Sequence, residues 1–189
     1  MKWGLLTPDL WQRSARHGMV LFMTRFLRVL SMMAVLTILA AVGSAAADLT
    51  ADKILIEKNA RRLTLLSQGQ VVKTYRIALG GNPEGPKEKE GDNKTPEGTY
   101  TIDGRNRKSG YHLSLHISYP NEKDRKRAKE LGVSPGGQIM IHGIKNGFGW
   151  IGALHTYHNW TQGCIAVTNE EIEEIAALVP DGTPVEIRP

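Results

Sequence analysis

The single cysteine of the chain, Cys164, stands in the run Thr161-Gln162-Gly163-Cys164-Ile165. A glycine directly before it permits an unusual turn and close approach of a ligand to the backbone. A cysteine where a loop enters a strand is placed as a nucleophile is, and nucleophilic use requires a base within reach to make the thiolate. His142 is the natural base. It closes the short apolar run Gln138–Ile141, is followed by Gly143, and lies 22 positions before Cys164. On spacing alone Cys164 is equally read as a buried inert thiol, and His142 as an ordinary strand-end histidine.

The six histidines raise the question of a metal. His155 and His158 are three apart, and His112 and His116 are four apart. On a strand, residues i and i+4 are about 13 Å apart at ~3.3 Å per residue, too far to share one zinc at ~2 Å. No HExxH pattern or carboxylate-rich spacing accompanies them, so the expectation is no metal and no cofactor.

Charge and compartment narrow the class. The 189 residues carry 24 Lys+Arg against 19 Asp+Glu, with 41% hydrophobic residues, a globular composition. Arg25 and Arg28 precede an uncharged run, Val29–Ala47, that ends in the small residues Ala45-Ala46-Ala47 before Asp48. A basic segment, an apolar segment and an A-x-A end read as a secretory signal peptide over 1–47, or alternatively an uncleaved inner-membrane anchor. Without residues 1–47 the chain holds 19 Lys+Arg against 18 Asp+Glu, a net charge of +1. The basic balance therefore belongs to the leader, and a nucleic-acid partner loses its support. The expected location is the periplasm or cell envelope after Sec-type export. One cysteine excludes a disulfide scaffold, and an unpaired thiol in an oxidising compartment reads as buried, intermolecular or reactive.

The elements that must position these residues are mostly strands. Lys53–Glu57, Arg62–Leu66, Val71–Leu79, Thr99–Asp103, Ile165–Val167 and Pro184–Ile187 are short apolar or β-branched runs between turn signals. Tyr111–Tyr119 alternates strictly, with Leu113, Leu115 and Ile117 on one face and His112, Ser114, His116 and Ser118 on the other. That polar face suggests His112, His116 and Tyr119 as lining for a substrate cleft. Residues 83–96 read as a polar surface loop, Gly104–Gly110 as a polar turn, and Ile144–Trp160 as a long aromatic loop in which Trp150 and Trp160 serve as pins. Two short helices are predicted. One is capped by Asn121 and stopped by Gly132; the other opens on the capping box Thr168–Glu171 with Ile172, Ile175, Ala176 and Val179 as its apolar stripe. The fold class is mainly β, a β-rich α+β domain over 48–189.

The combination Thr95-Pro96-x-Gly98, Ile141-His142-Gly143 and Thr161-x-Gly163-Cys164-Ile165 resembles the L,D-transpeptidase catalytic domain, or YkuD domain, across about 51–188. The resemblance implies a sandwich-like β fold and an enzyme acting on peptidoglycan stem peptides in cell-wall cross-linking or remodelling. It implies Cys164 as nucleophile, His142 as base and later acid, and Gly143 as the carbonyl that orients the imidazole. Gly163 and Cys164 N–H groups would form the oxyanion hole, with Thr161 and Gln162 shaping the site. Apart from the resemblance, the position of Trp160 just before this motif adds it to His112, His116 and Tyr119 as a candidate lining residue of the substrate cleft. The resemblance further implies acylation by carbapenems. Gln162 stands where the family often has His, Ala166 where it often has Arg or Asn, and 18 residues separate His142 from Thr161. These departures resemble a branch that includes an enzyme releasing lipoprotein from peptidoglycan. A related hydrolase, an L,D-carboxypeptidase or an amidase with a wall-attached lipoprotein as partner, is the alternative, and a non-catalytic wall-binding module is the third reading.

Overall fold

The computed structural model describes residues 50–189; the leader expected over 1–47 lies outside them. Eight strands form one mixed sheet in the order β3-β2-β1-β8-β4-β5-β6-β7. In chain order these are β1 (Lys53–Glu57), β2 (Arg62–Ser67), β3 (Gln70–Arg76), β4 (Gly98–Ser109), β5 (His112–Ile117), β6 (Met140–His142), β7 (Ile165–Ala166) and β8 (Pro184–Arg188). Two ten-residue helices, α1 (Glu122–Leu131) and α2 (Asn169–Leu178), and a 3-10 run at Gly149–Tyr157 complete the described elements. Both helices carry reciprocal capping boxes, Asn121 with Asp124 and Thr168 with Glu171, and Gly132 ends α1 in the left-handed conformation. Among the described residues no helix is long and apolar enough to cross a membrane.

The strand β4 joins the two halves of the sheet. Its first residues pair with β8, Gly98↔Ile187 to Thr101↔Pro184. Its later residues pair with β5, Ile102↔Ile117 to Ser109↔His112, with irregularities between Ile102 and Gly104 and between Asn106 and Ser109. Bulges of this kind bend a strand and raise its twist, which lets the two halves face a common core. Ile54, Ile56, Leu63 and Leu65 from one half meet Ile102, Leu115, Ile117, Ile141 and Ile165 from the other, all fully buried. Each such side chain contributes about 1.5–3 kcal/mol. Ile172 and Ile175 bring α2 into the same core, and Ala128 is the one buried residue of α1. The charged face of α1 is otherwise solvated.

Two polar segments depart from expectation. Gly104–Gly110 is not a turn: β4 runs through Ser109. Its polar side chains are compatible with a strand because the backbone is satisfied by β5. Arg105 donates to the carbonyls of Ala176, at 2.8 Å, and Val179 at the end of α2, where a cation suits the helix terminus. The segment 83–96 is a loop, but one of its three lysines is not at the surface. Lys87 is buried against Asp92 (2.7 Å) and the Lys89 carbonyl (3.0 Å). Burial raises the pKa of Asp92, but the Lys87 ion pair and backbone N–H groups of Glu88, Lys89 and Lys94 outweigh it and bring it to about 2. The buried Lys58 clasps the two ends of this loop, donating to Gly85 O (2.6 Å), Thr95 O (3.2 Å) and Glu97 Oε1 (2.7 Å). A buried cation is tolerable only with such saturation.

Candidate active site

The site forms where β5, β6 and β7 lie side by side. Strand β6 is antiparallel to β5, Ser114↔His142, and parallel to β7, with Ile141↔Ile165 and His142↔Ala166. Side chains alternate across a strand. Ile141 and Ile165 point into the core, so His142 and Cys164 share the opposite face. One inter-strand step and two residues along the strand separate their Cα atoms by about 8 Å, which the two side chains span. Both line one cleft of about 350 Å³, together with Tyr111, Ser114, Gln138, Met140, Trp160, Thr161 and Gln162.

The imidazole is fixed before any ligand arrives. His142 Nδ1 lies 2.6 Å from the Gly143 carbonyl, so Nδ1–H donates and Nε2 keeps its lone pair. The Tyr111 ring packs on the imidazole at 4.6 Å and Trp160 meets its face edge-on at 5.8 Å. Position 143 has no room for a side chain: a Cβ there would meet Asn169 Oδ1 at 2.7 Å and Tyr111 O at 3.1 Å. Burial pushes the His142 pKa below the usual histidine range, opposed by the Gly143 carbonyl.

Cys164 is held by a turn that its neighbours build. Thr161 Oγ1 donates to Cys164 O (2.7 Å) and accepts from Gly163 N–H (3.1 Å). The chain before the loop flanks it: Ala78 exchanges two 2.9 Å hydrogen bonds with Ala166, Thr161 N–H donates to Leu79 O at 3.1 Å, and Gly81 N–H to Thr161 O at 2.9 Å. Strand β3 therefore ends at Arg76, short of the expected Leu79, because 77–81 crosses over to hold this turn. Burial lifts the Cys164 thiol above its ordinary value, opposed by the Met140 N–H and the charge of Lys87. The thiol lies 3.5 Å from Gln138 O. The resting pair is thus a thiol beside a neutral imidazole, from which proton transfer can make a thiolate.

That protonation state has a measurable consequence. Alkylation by iodoacetamide requires thiolate, so its rate at Cys164 should lag a free thiol at neutral pH and still climb through about pH 9. A plateau reached below pH 7 would mean a standing thiolate–imidazolium pair and contradict this.

The other expected residues divide. Thr161, Gln162 and Trp160 are at the cleft. Gly163 N–H is already committed to Thr161, which removes it as an oxyanion donor; Cys164 N–H has no acceptor among the described residues. His112, His116 and Tyr119 do not line the cleft. His112 takes a positive φ of 66° and turns to Glu173 at 2.6 Å. His116 Nδ1 is 2.5 Å from Asp103 on the neighbouring strand. Tyr119 is buried, donating to Pro135 O at 2.9 Å. Trp150, 81% exposed, pins nothing, whereas Trp160 donates to His155 Nδ1 at 3.4 Å and does tie its loop. Sequence reasoning passed over Tyr111 and Ser114. The signal for Ser114 was its parity with His112 and His116; only the β5–β6 register shows which of the three faces His142. Among the described residues no group of three or more His, Cys, Asp and Glu is arranged for a metal ion.

Residues 51–187 match the family described as YkuD, L,D-transpeptidase catalytic domain. The chain belongs to this family. It is 33% identical over 114 residues to YafK of Escherichia coli (strain K12), which carries an L,D-transpeptidase name; the match covers 59% of this chain and 39% of YafK. Among solved structures it resembles Bd1075 of Bdellovibrio bacteriovorus (26% identity, TM-score 0.53, 77% of this chain and 50% of that one). It also resembles Pgp2 of Campylobacter jejuni, a helical cell shape determining protein (25% identity, TM-score 0.55, 76% and 52%). The chain therefore spans two-fifths of YafK and about half of each of these two structures.

Proposed function

We propose that this YkuD-family chain is a cysteine-dependent L,D-transpeptidase that acts on peptidoglycan stem peptides in the cell envelope. The observation that carries the reading is the facing of His142, its Nδ1–H fixed on Gly143 O, and Cys164 in one cleft. In the proposed reaction His142 Nε2 takes the Cys164 proton, and the thiolate attacks the carbonyl carbon of the third stem residue. Cys164 N–H stabilises the oxyanion. The C–N bond breaks, the leaving D-residue takes the proton from Nε2, and a thioester remains. A side-chain amine of a second stem then attacks and gives its proton to His142; the C–S bond breaks and the thiol is restored. Water in place of the amine completes a hydrolysis instead. Carbapenems would acylate Cys164 by the same first half. The proposal includes residues 1–47 as an export leader or anchor.

The hydrolase reading keeps one specific support. Gln162 is exposed at the cleft where the resemblance led to an expectation of His. Which outcome prevails depends on how well the second site binds amine and excludes water. Incubation of the protein with defined disaccharide-tetrapeptides, followed by mass spectrometry, separates the readings. Cross-linked dimers are the expected product. Tripeptides alone would establish a carboxypeptidase, and an unchanged substrate with no carbapenem adduct would overturn the enzymatic reading.

A further inference from the structure

Ser114 sits at the site without a visible partner. Its hydroxyl oxygen is buried and makes no hydrogen bond among the described residues, and the residue is 1% exposed. It nevertheless lines the cleft with His142 and Cys164. The register fixes how it meets His142. Gly143 N–H donates to Leu113 O (3.2 Å) and Ile117 N–H to Ile139 O (3.0 Å). These bonds make Leu113–Gly143 and Ile117–Ile139 the hydrogen-bonded pairs, and Ser114–His142 a non-hydrogen-bonded pair. Such pairs bring Cα atoms to about 4.5 Å, with both side chains on one face. The hydroxyl is therefore the cross-strand neighbour of the imidazole, on the side opposite Cys164.

A buried hydroxyl left unpaired destabilises the protein that carries it, and an alanine would fill nearly the same space. The chemistry supplies a reason to keep it. His142 is neutral at rest and becomes an imidazolium once it takes the thiol proton. The groups facing it are Tyr111 from the β4–β5 hairpin, Trp160 and His155 from the 144–160 segment, and Cys164 from the β7 side, with Lys87 of the 83–96 loop near Cys164. None is a carboxylate, and His155 and Lys87 are cations or potential cations. Oxygen lone pairs for the charged ring come from Gly143 O at Nδ1 and, on the neighbouring strand, from Ser114.

We propose that Ser114 is a positioning residue for His142, its hydroxyl turning its lone pairs toward the imidazolium that forms during proton transfer. The inference rests on the proposed roles of His142 and Cys164. Ser114 gives up no proton: the S–H bond of Cys164 breaks, the Nε2–H bond of His142 forms, and the serine hydroxyl only rotates.

Ser114→Ala tests this by two independent routes. With histidines labelled at 13Cε1, NMR titration of the substrate-free protein should show the His142 pKa lower in Ser114→Ala than in the wild type. With substrate, the acylation rate should fall about three- to tenfold at unchanged KM, the range of an ordinary polar contact rather than of a direct hydrogen bond to a charged group. The melting temperature should hold or rise, and Ser114→Thr, which keeps the hydroxyl, should recover most of the rate. An unchanged His142 titration would overturn the inference. So would a raised KM at unchanged kcat, which would make Ser114 a substrate contact, or a lowered melting temperature with normal chemistry, which would make it packing. A wild-type protein that acylates nothing would sink the transpeptidase reading, and the titration would still decide the role of Ser114.

Discussion

Cys164→Ala protein is expected to form no dimer and no tripeptide from disaccharide-tetrapeptides, and to take up no carbapenem mass. Loss of a covalent nucleophile removes the intermediate itself, and comparable deletions cost on the order of 10⁶ in kcat. The structure makes the substitution a clean one. Cys164 lines the cleft, and its thiol meets backbone groups only, the Gln138 carbonyl at 3.5 Å and the Met140 N–H. The bonds that shape its turn come from Thr161 to the backbone of Gly163 and Cys164, and alanine keeps that backbone. The melting temperature should therefore stay within about 2 °C of wild type, as for a substitution costing under ~0.5 kcal/mol. Residual turnover above a hundredth of wild type would place the nucleophile elsewhere. Unaltered carbapenem uptake would do the same.

Much of this arrangement was legible in the sequence, for reasons that differ by element. The caps of both helices were readable because a cap is a local bond between residues three apart, Asn121 with Asp124 and Thr168 with Glu171. The alternation of Leu113, Leu115 and Ile117 announced β5 because one of its faces is core. The nearness of His142–Gly143 to Thr161–Cys164 came from the family resemblance, since nothing in a 22-residue spacing sets a distance. What escaped was non-local. Strand β4 runs through Asp103–Lys108, where polar side chains mask a backbone satisfied by β5. His112 and His116 share the parity of Ser114, yet a positive φ at His112 and the Asp103 carboxylate beside His116 take them away from the cleft. Lys58 looks like an ordinary charged strand end until the two ends of the 83–96 loop are seen closing on it.

That loop leads to the second large effect, at Gly163. Gly163→Ala should be damaged in both stability and rate, although no chemical group is lost. The position has φ +125°, where a side chain is strained, and a Cβ there would stand 2.6 Å from the Lys94 carbonyl oxygen and 3.1 Å from Ile139 Cδ1. Ile139 is a side-chain end and can give way. The Lys94 carbonyl cannot give way cheaply, because Lys94 N–H is bonded to Asp92 at 3.0 Å and Asp92 is ion-paired to the buried Lys87. Gly80 is the neighbour of Gly163 at the same segment: its own Cβ would collide with Asn93 O and stand 3.1 Å from Gly163 Cα. The chain at 93–94 thus packs closely against two neighbouring glycines, and its anchor through Asp92 resists displacement. Strain at such a backbone position costs about 1–3 kcal/mol, roughly a 3–12 °C fall in melting temperature for a domain of this size. The Cys164 turn must yield instead. That shifts both the sulfur and the Cys164 N–H relative to His142, and a displacement near 1 Å costs about 10²-fold in rate. Circular dichroism melts and the dimer assay on Gly163→Ala would read both losses. Wild-type turnover in that variant would mean that the turn does not need glycine and that packing against Lys94 does not position Cys164.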